Sequence, residues 1–289
     1  MVTRMEVIEK TDRMQQKAEE LRLAGKVLGF VPTMGFFHEG HLELMRVAKR
    51  HCDVVIISLF VNPMQFGPKE DLAAYPRDLE GDLAKARQVG VDIAFVPTVD
   101  QIYPEGFESR VSVEKVTKHL CGLSRPTHFD GVTTVVAKLF NITKPHLAVF
   151  GQKDYQQLTV IRRMVNDLNM DLRILGVPTH REPDGLAMSS RNSYLNSEER
   201  KSALYLKKSL DLAREMVGKG ERRSAVIKKA IEELVRSHPY TQVDYVSLCD
   251  PVTLDDVDPL RGETLLALAV RIGKTRLIDN CVLGKSEKR

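Results

Sequence analysis
The run from Asp53 to Val61, Asp-Val-Val-Ile-Ile-Ser-Leu-Phe-Val, is almost uninterruptedly apolar. A strand of that kind is buried on both faces, and this happens when crossover helices cover a parallel sheet from either side. The first part of the chain repeats the theme. Lys26–Phe30, Ile93–Val96, Leu147–Phe150 and Leu172–Val177 read as short buried strands, with Pro97 stopping the second of them. Asp78–Gly90, Val132–Asn141 and Tyr155–Asn169 carry apolar residues at helical spacing, and Gly90 closes the first. This alternation predicts an α/β fold, a Rossmann-like doubly wound parallel sheet whose ligands sit beyond the C-terminal ends of the strands.

The pattern changes near Thr179. A polar stretch follows to Asn196, with Pro183-Asp184-Gly185 inside it. Ser197, followed by Glu198 and Glu199, reads as the N-cap of a long amphipathic helix to Val217, with a second helix over Arg222–Ser237. Val243–Leu248 reads as a strand, and Gly273-Lys274 as the tight turn of a hairpin. The expected organisation is a catalytic domain over residues 1–178 and a smaller α+β C-terminal lid domain over 179–289. Met1–Lys26 reads as an amphipathic helix with Met14, Ala18 and Leu21 on one side, and Ser286–Arg289 as a frayed tail.

Composition narrows the class. The 289 residues include 43% hydrophobic and 28% charged ones, the balance of a globular protein. No apolar run approaches the roughly 18 residues that a membrane span needs, and no signal-peptide core precedes Lys26. Cys52, Cys121, Cys249 and Cys281 are scattered with no C-x-x-C pair, which suits reduced thiols and a cytoplasmic location. A net charge of +4 fits an anionic substrate as well as nucleic acid. The basic residues are spread along the chain and there is no Trp, so no nucleic-acid partner is expected.

Val31-Pro32-Thr33-Met34-Gly35-Phe36-Phe37-His38-Glu39-Gly40-His41 joins the first buried strand to a helix. Pro32 and Gly35 are expected to stop the strand, and Gly40 lets a backbone or ligand come close. His38 and His41, three apart, face the same way once helix begins. The free N–H groups of a helix start attract phosphate, and two imidazoles can add donors. On their own these residues are a weak signal and read first as two solvated histidines at a helix start; the nucleotide reading gains weight from the other stretches that fit it. A zinc site is disfavoured, because no third and fourth ligand lies at a usual spacing.

Two further stretches suit an anionic ligand. Gly151-Gln152-Lys153-Asp154-Tyr155-Gln156-Gln157 follows a strand and opens a helix; Lys153 offers a point charge, and Asp154 either caps the helix, binds a hydroxyl or helps hold Mg2+. Met188-Ser189-Ser190-Arg191-Asn192 offers two hydroxyls and a guanidinium in succession. Gln65, after the Asp53–Val61 strand, can donate and accept. No G-x-G-x-x-G follows the first strand and no P-loop string occurs, which argues against a dinucleotide cofactor and against a P-loop NTPase.

The string Pro32-Thr33-Met34-Gly35-x-x-His38-x-Gly40-His41 resembles the signature of nucleotidylyltransferases, whose H-x-G-H form is shared with class I aminoacyl-tRNA synthetases. With Phe60-Val61-Asn62-Pro63-Met64-Gln65-Phe66 added, the chain is similar to one family in particular, pantothenate synthetase (pantoate–β-alanine ligase). The likeness runs from about Lys26 to Leu195 and continues more weakly beyond. It implies ATP-dependent condensation of pantoate with β-alanine to pantothenate, AMP and pyrophosphate, with Mg2+ and a homodimer. It also implies that Gln65 and Gln157 hold pantoate, that Arg125–Val132 borders the site with Arg125, His128 and Tyr75 as substrate-side candidates, and that main-chain atoms near Met34 and His180 hold adenine or ribose. Gly35, Phe36, Phe37, Glu39, Gly40, Gly151, Gln152, Asp154 and Met188 complete the nucleotide side. Gln152 stands where the family usually has Glu, and Arg191 is the cation of the second signature where a second Lys is usual.

The chemistry makes these residue types intelligible. A carboxylate must attack the α-phosphorus of a polyanion, so cations and oriented donors are needed on the phosphates. His38, His41, Lys153, Ser189, Ser190 and Arg191 are the candidates, with His41 also a candidate proton donor. An acyl-adenylate would hydrolyse in open water, so a lid is expected, hinged at 179–196. Two other readings of the same residues stay open: another nucleotidylyltransferase that stops at the nucleotidyl product, and a non-catalytic RNA-binding protein.

Overall fold
Six strands form one all-parallel sheet: β1 (Glu6–Ile8), β2 (Leu28–Thr33), β3 (Val54–Leu59), β4 (Ile93–Phe95), β5 (Leu147–Gly151) and β6 (Arg173–Val177). They are seen in a computed structural model that describes residues 5–68 and 70–284; the Ser286–Arg289 tail expected to fray lies outside the described residues. The strand order is β1-β4-β3-β2-β5-β6. The helices of this part are α1 (Thr11–Leu23), α2 (Glu39–His51), α3 (Leu79–Gln88), the one-turn α4 (Val99–Ile102) and α5 (Cys121–Ser124), α6 (His128–Thr143) and α7 (Tyr155–Asp167).

Alternation along the strands explains the layers. Leu28, Phe30, Ile56 and Phe95 point to one face, where Met14 and Ala18 of α1, Phe140 of α6 and Leu158 and Ile161 of α7 cover them. Val31, Val55, Ile57 and Ala94 point to the other, against Met45 and Ala48 of α2 and Ala86 of α3. The chain therefore winds outward from β2 through β3 to β4, then returns to β5 on the other side of β2. The strand order reverses between β2 and β5, and a crevice opens beyond their C-terminal ends.

Two local expectations are corrected. Pro32 does not stop the first buried strand, which runs on to Thr33, with Pro32 opposite Ser58 of β3. The register joins β2 to β5 only at Gly29 and Phe30, so beyond Phe30 that side has no ladder for a missing N–H to break. The N-terminal stretch is not all helix: β1 precedes α1 and pairs with β4 at the sheet edge. A strand so short carries too little periodicity to be read, although α1 buries Met14 and Ala18 as expected.

A second sheet, antiparallel in the order β7 (Thr241–Cys249), β8 (Thr264–Ile272) and β9 (Thr275–Leu283), follows α8 (Ser197–Gly218) and α9 (Ser224–Arg236). The N-cap of α8 is Asn196 rather than Ser197: its Oδ1 accepts from the N–H groups of Glu198 and Glu199, and Glu199 accepts from the Asn196 N–H. Gly273-Lys274 is the hairpin turn between β8 and β9. Leu206, Leu210, Ile227 and Ile231 of the two helices pack on Leu266, Leu268 and Val270. On the opposite face Leu265 and Ala267 meet Cys121, Phe129 and Val160, so this sheet rests on α5, α6 and α7. No helix among the described residues is long and apolar enough to cross a membrane.

Candidate active site
A cavity of about 240 Å³ opens at the crevice between β2 and β5. The turns after β2, β3 and β5 and the 178–191 segment wall it, and Val132, Val135, Val136 and Leu139 of α6 give it an apolar floor. A smaller cavity of about 90 Å³ lies behind, between α5–α7 and β9; Lys153, Asp154, Gln157, Ser189 and Arg191 border both.

After β2 the backbone turns sharply into α2. Gly35 takes φ +85°, and Phe36 is left-handed at φ +54°, a strain of order 1 kcal/mol for a non-glycine residue. The Asp82 carboxylate of α3, 1% exposed, accepts the N–H groups of Phe36 and Phe37 at 2.6 Å each. Lys85 donates to the Phe37 carbonyl at 2.9 Å, and Ser190 to that of Phe36 at 3.3 Å. The turn is thus gripped by α3 on one side and by the serine segment on the other.

That grip delivers His38 to the N-cap of α2 with its ring stacked on His41, centroids 4.0 Å apart. The His38 N–H donates to Nδ1 of His41, which puts the His41 proton on Nε2. Burial and then the Lys153 charge lower His38 to about 4; burial and then His38 hold His41 well below its ordinary value. Both imidazoles are neutral at pH 7. The role open to His41 is therefore a hydrogen bond from Nε2, not proton release from an imidazolium. Nδ1 of His38 is buried with no partner among the described residues.

Across the cavity, Lys153 sits on the 3-10 turn Gln152–Asp154 that leads from β5 into α7. Its Nζ lies 3.8 Å from Asp154, an exposed residue whose side chain makes no helix-capping bond although it stands at the N-cap of α7. Asn280 of β9 donates to the carbonyls of Gln152 and Lys153 at 3.0 and 2.8 Å. Ser189 caps the 3-10 turn Ser190–Tyr194 by accepting the Arg191 N–H. The Arg191 guanidinium makes a two-pronged pair with Asp71 at 3.0 and 2.8 Å. Met188 Sδ accepts the Gly40 N–H, and the Met188 N–H donates to the His180 carbonyl, so the 178–191 segment is laid along the start of α2.

The polar side of the floor is built around Gln65. Its Oε1 accepts from Nδ2 of Asn62, and its Nε2 contacts Sδ of Met34. Asn62, 1% exposed, also donates to the Gly131 carbonyl and accepts from Tyr103. Arg125 makes a two-pronged pair with Glu70 at 2.6 Å and donates to the Gln65 carbonyl, where His128 Nδ1 also bonds at 2.9 Å. Burial and then Arg125 lower His128 to about 4, so the neutral ring donates through Nδ1–H.

The cavity wall thus brings together Met34, His38, Gly40, His41, Gln65, Tyr75, Gly151, Lys153, Asp154, Gln157, His180, Met188, Ser189, Ser190 and Arg191. The others stand elsewhere. Gly35, Phe36 and Phe37 form the turn, with Phe37 in the core. Glu39 points outward and pairs with Arg46. Gln152 contributes its carbonyl to Asn280. Arg125 and His128 line the smaller cavity and hold Gln65 from behind. Sequence reasoning gave no role to Asp82, Asn62, Glu70, Asp71 or Asn280. Asn62 alone left a signal, as a neighbour of Gln65 at a strand end; the others are distant in sequence from what they hold. No group of three or more His, Cys, Asp or Glu among the described residues is arranged to hold a metal ion.

A family model described as pantoate-beta-alanine ligase matches residues 6–282. The pantothenate synthetase of Syntrophobacter fumaroxidans is 58% identical over 279 residues, covering 96% of this chain and 99% of that protein. That of Geobacter sulfurreducens is 54% identical over 283 residues, covering 98% and 100%. Among solved structures, the pantothenate synthetase of Thermus thermophilus is 45% identical with a TM-score of 0.90, covering 96% of this chain and 99% of that one. The pantoate-beta-alanine ligase of Francisella tularensis, solved with beta-gamma ATP and beta-alanine, is 33% identical with a TM-score of 0.80, covering 98% and 99%.

Proposed function
The chain belongs to the pantoate–β-alanine ligase family and condenses pantoate with β-alanine at the expense of ATP, and we propose that the cavity between β2 and β5 holds ATP and pantoate side by side for adenylation. The observation that carries this reading is the make-up of the wall. Lys153, Arg191, Ser189, Ser190 and both imidazoles line the same cavity as Gln65, Gln157 and the apolar floor of α6.

The polyphosphate lies along the α2 N-terminus, where the helix dipole and the Nε2–H of His41 favour negative charge. Buried Nδ1 of His38 takes a partner from the same ligand. Lys153 and the Ser189–Arg191 segment neutralise charge as the P–O bond to pyrophosphate breaks. Adenine and ribose lie against main chain near Met34 and His180. Gln65 and Gln157 take the hydroxyls and carboxylate of pantoate, Tyr75 covers them, and Val132, Val135 and Val136 suit its dimethyl carbon. A pantoate carboxylate oxygen attacks the α-phosphorus and pyrophosphate leaves; the amine of β-alanine then attacks the acyl carbon and AMP leaves.

Mg2+ fits this site as a companion of the phosphates, because Asp154 is a single exposed carboxylate beside Lys153 and magnesium commonly binds through one or two carboxylates plus phosphate oxygens. When bound it would neutralise phosphate charge. Residues 1–178 act as the catalytic domain and 179–289 as a lid hinged at 179–196, which keeps water from the acyl-adenylate. A homodimer and a cytoplasmic location complete the reading; the four free thiols suit the latter.

ATP–pyrophosphate exchange tests it. Exchange should require pantoate but not β-alanine, and Lys153→Ala should slow it by about 10²-fold or more. A folded Lys153→Ala enzyme with near-normal exchange would remove Lys153 from the phosphates.

A further inference from the structure
We propose that Asp279 and Asn280, adjacent on β9, are positioning residues for adenylation: together they fix where Lys153 stands relative to the Ser189–Arg191 segment. The proposal rests on the reading that those two segments bind the polyphosphate.

Successive side chains of a strand point to opposite faces, and β9 uses both. Asp279, 2% exposed, points among the apolar residues between the second sheet and its helices. There it forms a two-pronged pair with Arg181 at 2.7 and 2.9 Å. Arg181 also donates to the Gly185 carbonyl and bridges to Ala187, so it anchors a small backbone hairpin whose second arm continues into Ser189. Asn280 points the other way, toward β5 and α7. Its Nδ2 donates to the carbonyls of Gln152 and Lys153, the turn on which the Lys153 side chain is mounted.

One strand therefore holds both cation-bearing segments, one residue apart. A buried ion pair in an apolar core is weak evidence for stability, since well-packed apolar residues do as well or better there. Two consecutive polar residues, one gripping the 181–187 hairpin and the other the Lys153 turn, are accounted for by alignment. Any shift of the second sheet moves both segments together and keeps their spacing over the phosphates.

The test is pyrophosphate exchange with the full chain and ATP, Mg2+ and pantoate. Asn280→Ala should lower kcat about tenfold to a hundredfold, the scale set by ångström misplacement, while KM for pantoate stays within about twofold. Asn280→Ser retains one donor and should recover part of the rate, which keeps the reading available if the alanine variant folds poorly. Asp279→Asn, which keeps the shape but removes the charge, should also lower kcat with KM for pantoate held. The decisive arm is Lys153→Ala,Asn280→Ala, expected within about twofold of Lys153→Ala alone, since the Lys153 amine is the group whose placement Asn280 is proposed to fix. A kcat unchanged in Asn280→Ala while Lys153→Ala collapses would overturn this inference and leave the proposed function standing. Independent, multiplying losses in the double variant would also overturn it, by showing a general structural effect. A near-normal Lys153→Ala enzyme would instead remove the premise.

Discussion

Lowering the pH should destabilise this protein through its buried histidines before most of its carboxylates titrate. Burial, helped by Lys153 for His38 and by Arg125 for His128, brings both to about 4 from an ordinary 6.5. With the folded value below the unfolded one, the unfolded chain takes up protons first as pH falls. The stability these residues contribute is therefore complete above about pH 6.5 and is lost through the window down to about 4. A gap of 6.5 − 4 is 2.5 units, worth roughly 3 kcal/mol per histidine once the window is crossed, and about 2 kcal/mol each at pH 5. His38 and His128 together would remove about 4 kcal/mol at pH 5, against a typical total of about 5–15 kcal/mol. His41 acts in the same direction.

Asp82 opposes them. Burial raises its carboxyl above the usual range despite its two N–H bonds, so its contribution is present at low pH and fades as pH rises. Glu70 and Asp71 are held below the usual range, by Arg125 and Arg191 overcoming burial, so their losses begin as pH falls through the ordinary carboxylate range, at the acid end of the histidine window. Urea unfolding of the wild type and of His128→Asn, at pH 7.5 and pH 5, separates the terms. The amide of Asn can still donate to the Gln65 carbonyl but does not titrate. The variant should lose about 2 kcal/mol less than the wild type over this interval. Parallel pH dependences would show that His128 titrates normally in the folded protein, and the reasoning from burial would fail.

Two substitutions probe the scaffold of the site. Asp82→Asn leaves one of the Phe36 and Phe37 N–H groups facing an amide donor, a loss of about 1.5–3 kcal/mol partly offset because no charge is buried; exchange kcat should fall about tenfold with KM for pantoate held, and the opposite split would separate Asp82 from the histidine turn. Gly131→Ala would put a Cβ 2.4 Å from the Met64 carbonyl oxygen and 2.6 Å from the Gln65 nitrogen, so the 63–65 turn must shift and KM for pantoate should rise about tenfold in initial-rate measurements; an unchanged KM would show that Gln65 does not set pantoate affinity.

The sheet was legible because each of its central strands carries its own evidence. An apolar run such as Val54–Leu59 has few other places to go, and the turns after β2, β3 and β5 fall at the strand ends that a parallel sheet aims at one crevice. His38 and His41 were legible for the same local reason, since a strand, a turn and a helix start are contiguous in sequence. What escaped was whatever holds these groups from a distance. Asp82 is 46 residues from Phe36, Asp71 is 120 from Arg191, and Asn280 is 127 from Lys153. An acidic residue in the first turn of α3 looks like any helix-dipole partner until the turn it grips is seen beside it. Pro32 makes the same point about rules: proline breaks a strand only where a ladder needs its N–H, and the neighbour that decides this, β5, is far along the chain. Local pattern therefore reveals the groups proposed to touch the substrates and hides the groups proposed to aim them. If catalysis here depends on bringing two anions into line, as proposed, the hidden groups should control the rate as directly as the visible ones. A substitution at Asp82 or Asn280 should accordingly resemble an active-site substitution in kcat, although neither side chain lines the cavity where the phosphates are proposed to lie.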